Sequence, residues 1–404
     1  PEASPPMEVD LNLRIGQLRV SDLVLENFEL TGSGRGTEWD LTLEQSRVAG
    51  RVQLAAEQPI RLDFSRLHLP GPSVAAESSP TVPPEPEPEP VQNSLSSSEA
   101  LPPAPDIWDQ VVFANAPSVD FHVRDLRHGD RMLGDWSAKV RPTANGLLAY
   151  DLRADSLGLK VAGQDTAGAE LVWLRTPQGH TSYFSGVVEA GDLAESFRQL
   201  GMAPVLSSEH ARFTLDLQWP SPPSRLTLAQ TLGVVHLEVE RGLFVRSGSV
   251  GENPLIKLIG LLNFDTLARR LRLDFSDLTA SGLGYETIRG SLLFDSGVIR
   301  IQEPLQVATP SSDLQLVGNL NALDQTLDAQ LVATLPLAGN LTVAAALTGG
   351  VPLAVGVYLA GKLFKSQVER VSSLRYQVKG TWDDPEVRLE RIFESRVPGA
   401  GGGD

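Results

Sequence analysis

The stretch Val9-Asp10-Leu11-Asn12-Leu13-Arg14-Ile15 alternates apolar and polar side chains one for one. In an extended chain successive side chains point to opposite sides, so Val9, Leu11, Leu13 and Ile15 share one face and the polar residues face water. The same period of two returns at Leu41/Leu43, Val52/Leu54, Ile60/Leu62/Phe64, Val119/Phe121/Val123, Phe213/Leu215/Leu217, Val235/Leu237/Val239 and Leu271/Leu273/Phe275. It continues through Ile299/Ile301, Leu314/Leu316, Leu327/Ala329/Leu331, Tyr376/Val378 and Val387/Leu389. These segments read as half-buried antiparallel strands. Turn-forming residues fall between them, as at Gly32-Ser33-Gly34, Asn145-Gly146, Glu240-Arg241-Gly242 and Asp295-Ser296-Gly297, and predict hairpins in a meander. About two dozen strands of roughly ten residues are too many for one small barrel or an Ig-like sandwich. Either the chain makes several β domains, or one sheet keeps growing.

Composition narrows the function classes. The 404 residues include 36 Gly, 29 Pro and no Cys, and 34 Lys and Arg against 50 Asp and Glu leave a formal charge of −16. An apolar share of 41% supports a folded chain with a substantial core. Without Cys there is no disulfide scaffold, thiolate zinc site or Cys nucleophile, and the redox compartment stays open. An acidic chain without a basic stripe repels phosphate backbones, which argues against nucleic acid as a partner. Pro1-Glu2-Ala3-Ser4-Pro5-Pro6 has neither a basic start nor an apolar stretch. With a strand pattern starting almost at once, the chain reads as a piece of something longer whose anchor or targeting signal lies outside it.

Residues 71–106 break the pattern. They contain Glu77, Glu85, Glu87, Glu89, Glu99 and Asp106, no Lys or Arg, and the run Pro83-Pro84-Glu85-Pro86-Glu87-Pro88-Glu89-Pro90. Such a segment builds neither a ladder nor a core and reads as a solvated linker or insertion, with a reach of roughly 110 Å as polyproline II. It divides the chain into a β segment over 1–70 and a longer one over 107–350. A C-terminal part over 351–395 and a flexible tail over 396–404 follow.

Three helices are expected among the strands. Asp192 with Glu195 forms a capping box for a helix near 192–200, with Leu193, Phe197 and Leu200 on one face and Gly201 as the stop. A second, near 253–268, starts at Asn253-Pro254 and carries a broad apolar face from Leu255 to Leu262. A third runs roughly from Pro352 to Leu374. Its first half, with Leu353, Val355, Val357, Tyr358, Leu359, Leu363 and Phe364, is nearly apolar all round. About 12 residues give some 18 Å of helix, too short for about 30 Å of hydrocarbon. Lys362, Lys365, Glu369 and Arg370 follow, so this helix either inserts part-way at a membrane surface or packs over the mouth of the sheet.

Catalytic patterns are missing. No pair among His68, His122, His128, His180, His210 and His236 has zinc-hydrolase spacing. Gly32-Ser33-Gly34-Arg35-Gly36 lacks the Lys-Ser/Thr of a phosphate loop and reads as a hairpin turn, and Asp383-Asp384-Pro385 suits a turn. No cofactor or metal is expected. What remains is the apolar face. Left open, it makes a trough for acyl chains; closed, it is the inside of an ordinary sandwich, and the period of two fits both. A two-chain lipid in water exposes some 30 methylenes, on the order of 25 kcal/mol gross, so a continuous apolar path lowers that barrier.

Three strings carry a family resemblance: Leu261-Leu262-Asn263-Phe264-Asp265 running on to Leu278, Gly349-Gly350 leading into Val357-Tyr358-Leu359-Ala360-Gly361-Lys362-Leu363, and Arg375-Tyr376-Gln377-Val378-Lys379-Gly380-Thr381-Trp382-Asp383-Asp384-Pro385. Asp192 to Trp219 is similar in a less distinctive way. Together they resemble the YhdP branch of the AsmA-like, bridge-like envelope proteins, well over 107–393 and in style over 1–70, with the Pro-Glu segment as a departure. The resemblance implies an all-β fold: an elongated, twisted antiparallel sheet curled into an apolar groove. It further implies a non-enzymatic phospholipid conduit in the periplasm of a Gram-negative envelope, tethered to the inner membrane by an N-terminal helix absent from this chain. Its partners are then phospholipid acyl chains and, at the C-terminal end, the outer membrane or a protein near it. The groove-lining candidates are Leu215, Leu217, Leu237, Val239, Leu271, Leu273, Phe275, Ile299, Ile301, Leu314, Leu316 and Leu331. The candidates for membrane or partner contact are Leu353, Val357, Tyr358, Leu359, Leu363 and Phe364. The alternative is an envelope scaffold whose β domains are closed.

Overall fold

The computed structural model describes residues 7–20, 23–70, 113, 116–165, 167–244, 284–310, 312–336, 370–382 and 385–396. In these residues the period of two becomes 19 strands of a single sheet. The first group is β1 (Glu8–Val20), β2 (Leu23–Arg35), β3 (Glu38–Glu44), β4 (Val48–Leu54) and β5 (Ile60–Leu69). The second is β6 (Val119–His128), β7 (Arg131–Thr143), β8 (Gly146–Ser156), β9 (Leu159–Ala162), β10 (Ala169–Thr176) and β11 (Gly179–Ala190). A short helix, α1 (Leu193–Gln199), precedes β12 (His210–Trp219) and β13 (Leu232–Leu243). The last group is β14 (Gly284–Asp295), β15 (Val298–Ala308), β16 (Asp313–Asn321), β17 (Thr326–Pro336), β18 (Arg370–Thr381) and β19 (Pro385–Arg396).

Strands follow one another across the sheet in chain order, with two departures. First, β9 and β10 both lie between β8 and β11 and together make one interrupted rank. Second, β5 and β6 are parallel, Ile60 beside Val119 and Leu69 beside His128, where the hairpin pattern predicts antiparallel pairing throughout. A parallel pair cannot be closed by a tight turn, so the connection has to return along the length of β5, about 33 Å for its 10 residues. The Pro-Glu segment belongs to that connection, and the sheet is continuous on either side of it. Near the end of the connection, Phe113 is buried against Trp173 of β10, ring centroids 4.9 Å apart, with the Arg175 guanidinium over its ring.

Two turn assignments and one helix boundary are corrected. Gly32-Ser33-Gly34 lies inside β2, and the hairpin turns instead at Gly36-Thr37, where Arg35 faces Glu38. Glu240-Arg241-Gly242 lies inside β13, where Arg241 has a φ of +40° and Glu209 N–H donates to both the Glu240 and Arg241 carbonyls. The strand runs on instead of reversing, with the same register against β14 on both sides of Arg241. Arg370 to Leu374, expected at the end of the third helix, opens β18, because Leu374, Tyr376 and Val378 match Ala333, Leu331 and Ala329 of β17. The turn at Ser296-Gly297 stands as read, both residues having the positive φ that a two-residue hairpin turn needs.

The helix near 192–200 is α1. Asp192 caps it by accepting from Ala194 N–H at 2.9 Å. The box is half made, since Glu195 pairs with Arg198 and Gln199. Gly201, at φ +75°, ends the helix with Met202 N–H on the Phe197 carbonyl, a Schellman close. The other two expected helices lie outside the described residues, apart from Arg370–Leu374.

Candidate functional site

Register turns the sequence alternation into one surface. Ile60 lies beside Val119, then Val140, Ala149, Leu171, Phe184, Leu217, Gly233, Phe294, Ile299, Leu320 and Leu327, an unbroken row from β5 to β17. A second row joins Leu11, Gly32, Leu41, Val52, Leu62 and Phe121 at the N-terminal end. Every described segment of period two therefore points its apolar residues to the same side of the sheet.

The opposite side carries cross-strand ion pairs. Arg14 meets Glu29 at 2.8 Å, Arg289 meets Glu238 at 2.6 Å and Lys379 meets Asp328 at 2.9 Å, each between directly opposed residues. All are solvent-exposed, so each adds at most about 1 kcal/mol. Their larger effect is to fix which face is wet.

The described groove candidates Leu215, Leu217, Leu237, Val239, Ile299, Ile301, Leu314, Leu316 and Leu331 all lie on the apolar face. They differ in what they offer a ligand. Leu215, Leu217 and Leu237 are half-buried, whereas Ile299 and Leu331 are 0% exposed and belong to one contiguous core with Leu305, Val307 and Leu374. Leu271, Leu273 and Phe275 lie outside the described residues, as do Leu353, Val357, Tyr358, Leu359, Leu363 and Phe364.

The two ends of the strands differ as well. Short turns at Gly36-Thr37, Ala144-Asn145, Pro177-Gln178 and Ser296-Gly297 share one rim. Near them stand Trp39, Trp173, Trp219 and Trp382, with indole N–H groups donating to Gly36 O, His180 Nδ1, Pro222 O and Thr326 O. The indole suits this boundary, with its ring on the apolar side and its N–H satisfied at the turn. At the other rim sits α1, and the connections from β13 to β14 and from β17 to β18 leave and return there. Period-two reasoning marked the apolar phase but missed this asymmetry, since it says nothing of which strand ends lie together.

Polar clusters exist among the described residues. Ser291 Oγ lies 2.6 Å from His236 Nδ1 and 3.0 Å from Glu303 Oε2. Here the carboxylate sits on the serine instead of orienting the imidazole, and Ser291 is 1% exposed, so a nucleophile relay has neither its third member in place nor access. His68 bonds Asp125 at 2.9 Å and His122 bonds Asp135 at 3.1 Å, both on the polar face across the β5–β6–β7 region. Among the described residues no group of three or more His, Asp or Glu is placed to hold a metal ion, and no helix is long and apolar enough to cross a membrane.

Comparison with known proteins bears on this face. A family model described as YhdP protein matches residues 2–387. The chain is also 25% identical over 232 residues to the intermembrane phospholipid transporter YhdP of Escherichia coli (strain K12). That match covers 57% of this chain and 18% of the relative, so the aligned part spans less than a fifth of the relative's length. No solved structure matches the chain.

Proposed function

Because this chain belongs to the YhdP protein family, we propose that it forms one stretch of a non-enzymatic conduit that carries phospholipids between the two membranes of a Gram-negative envelope. Acyl tails lie on the apolar face, headgroups stay in water, and the sheet supplies a path that spares the tails most of their exposure. The observation that supports this best is the continuity of that face: one row of neighbouring residues crosses from Ile60 to Leu327 without a charged residue. The chain then works in the periplasm, with its inner-membrane tether in a part of the polypeptide outside these residues. The segment holding Leu353, Val357, Tyr358, Leu359, Leu363 and Phe364 engages the outer membrane or a protein near it. Leu359→Glu should weaken that engagement and leave the sheet folded.

The test of the main reading is mass spectrometry of the purified protein. Co-purified phospholipid is expected, and a folded protein carrying none, with no lipid crosslinked from the apolar face in cells, overturns the proposal. The second reading, a closed envelope scaffold, has one observation in its favour: the zero exposure of Ile299, Leu305, Leu331 and Leu374. It predicts a protein free of lipid along its whole length.

A further inference from the structure

The apolar face is not equally available along the sheet. In β14 to β18 it is sealed, with Ile299, Leu305, Leu331 and Leu374 at 0% exposure and Val307 at 1%. In β1 to β8 the same face keeps exposed surface. Val9 and Leu13 are 43% exposed on the edge strand, and away from the edge Leu41, Val52, Leu62 and Phe121 are only half-buried. Burial in this part is more limited: Leu25, Phe28 and Val48 form a small core at the rim away from the short turns, and Val123 and Ala138 are each 4% exposed. An apolar strip left uncovered on a soluble surface marks a place where something apolar binds.

We infer, on the reading that this chain carries phospholipid, that tails ride only on the strip from β1 to about β8, and that the track ends before β14. The sealed strands beyond are a stopper that the lipid does not cross. The dimensions fit tails laid along the strands. From Ile60 to Leu67 the face of β5 is about 23 Å long at about 3.3 Å per residue, enough for one leaflet's tail at about half of the roughly 30 Å hydrocarbon core. Strand pleating supplies the matching surface, since Ile60, Leu62 and Phe64 stand in line on β5 beside Val119, Phe121 and Val123 on β6. The end of the track also has a built feature. Phe113, 3% exposed, closes on Trp173 and Arg175 at the short-turn rim of β10, between the open and the sealed strands.

A photoreactive benzoyl-phenylalanine placed singly at Leu62, Phe121, Leu305 and Leu331 of the full chain in cells, with phosphate-labelled lipid, tests this. Crosslinked lipid is expected at Leu62 and Phe121 and none above background at Leu305 and Leu331. Equal crosslinking at all four overturns the inference and leaves the conduit standing, whereas none at any position of a folded protein overturns the conduit itself. Because the bulky residue at Leu305 or Leu331 can unfold the sealed strands, quenching of tryptophan fluorescence by phospholipid vesicles with brominated tails gives a second measurement. Replacing Trp39 and Trp136, both half-buried on β3 and β7, by Phe should remove most of the quenching. Replacing Trp219 and Trp382, 4% and 6% exposed, should leave it. The reverse result overturns the inference.

Discussion

The indole of Trp39 fills the space over Gly34, its partner across the β2–β3 hairpin: a Cβ built on Gly34 would stand 2.3 Å from the ring. Gly34→Ala is therefore expected to push the indole off its seat and to cost about 1–3 kcal/mol, the usual range for overpacking. Gly16 is the internal comparison, since a Cβ there meets nothing within 4 Å. Gly16→Ala should be neutral or stabilise by roughly 0.5–1 kcal/mol through chain entropy. Urea denaturation of both variants checks the pair, and equal effects would show that Trp39 does not lie where the structure puts it.

The same glycines show how far the sequence could be read. Period-two patterning located the strands and their apolar phase, because a half-buried strand has few other ways to arrange its side chains. Gly32 and Gly34 look like a turn in that reading. In space they are strand residues that let β3 come close, with the Asp40 carbonyl 2.1 Å from where a Gly32 Cβ would stand. Glycine serves either purpose, and only the partner strand decides. The parallel β5–β6 pair was hidden for a related reason, since nothing in Ile60 to Leu69 records the direction of its neighbour. Burial along the apolar face was equally out of reach: Leu62 and Leu331 sit in the same kind of alternation, yet one keeps exposed surface and the other has none.

That contrast has an energetic consequence. Leu331 is 0% exposed within the contiguous core, so Leu331→Ala is expected to cost about 2–5 kcal/mol through lost transfer energy and a cavity. Leu62 already keeps part of its surface exposed, and Leu62→Ala should cost about 1 kcal/mol. Urea midpoints separate the two. If Leu62→Ala proves as costly as Leu331→Ala, the N-terminal strip is packed shut and no tail can lie on it.

Asp125 on β6 joins the wet side of the parallel pair, accepting from Arg127 and lying 2.9 Å from His68 Nε2 on β5. Hydrogen bonds first from Arg127 and then from His68 hold its carboxyl below the ordinary value of 3.8. A lowered folded-state value means that the carboxylate's contribution is complete above the unfolded value and fades as the pH falls through the folded one. Asp125→Asn should thus be less stable than the parent at pH 7, and the gap should narrow once the pH falls below 3.8. Denaturation curves at the two pH values check this, and a gap that persists in acid would mean that packing, not charge, holds Asp125.

At the other end of the pH scale the sealed strands make their own prediction. Tyr376 on β18 is 5% exposed between Leu374 and Val378, and burial pushes its phenol from 10.0 up to about 12. Folding then favours the neutral phenol. Its contribution is complete below pH 10 and is lost as the pH rises from 10 to about 12, where the unfolded chain ionises first. Over that window stability should fall by about 1.4 kcal/mol per pH unit from this residue alone. Tyr285, buried beside Phe244, shifts in the same direction and adds to the decline. Tyr376→Phe keeps the packing and removes one titrating group, so its urea midpoint should drop less between pH 9 and pH 11 than the parent's. Parallel declines would place the Tyr376 hydroxyl in water and would open the very core on which the end of the track depends.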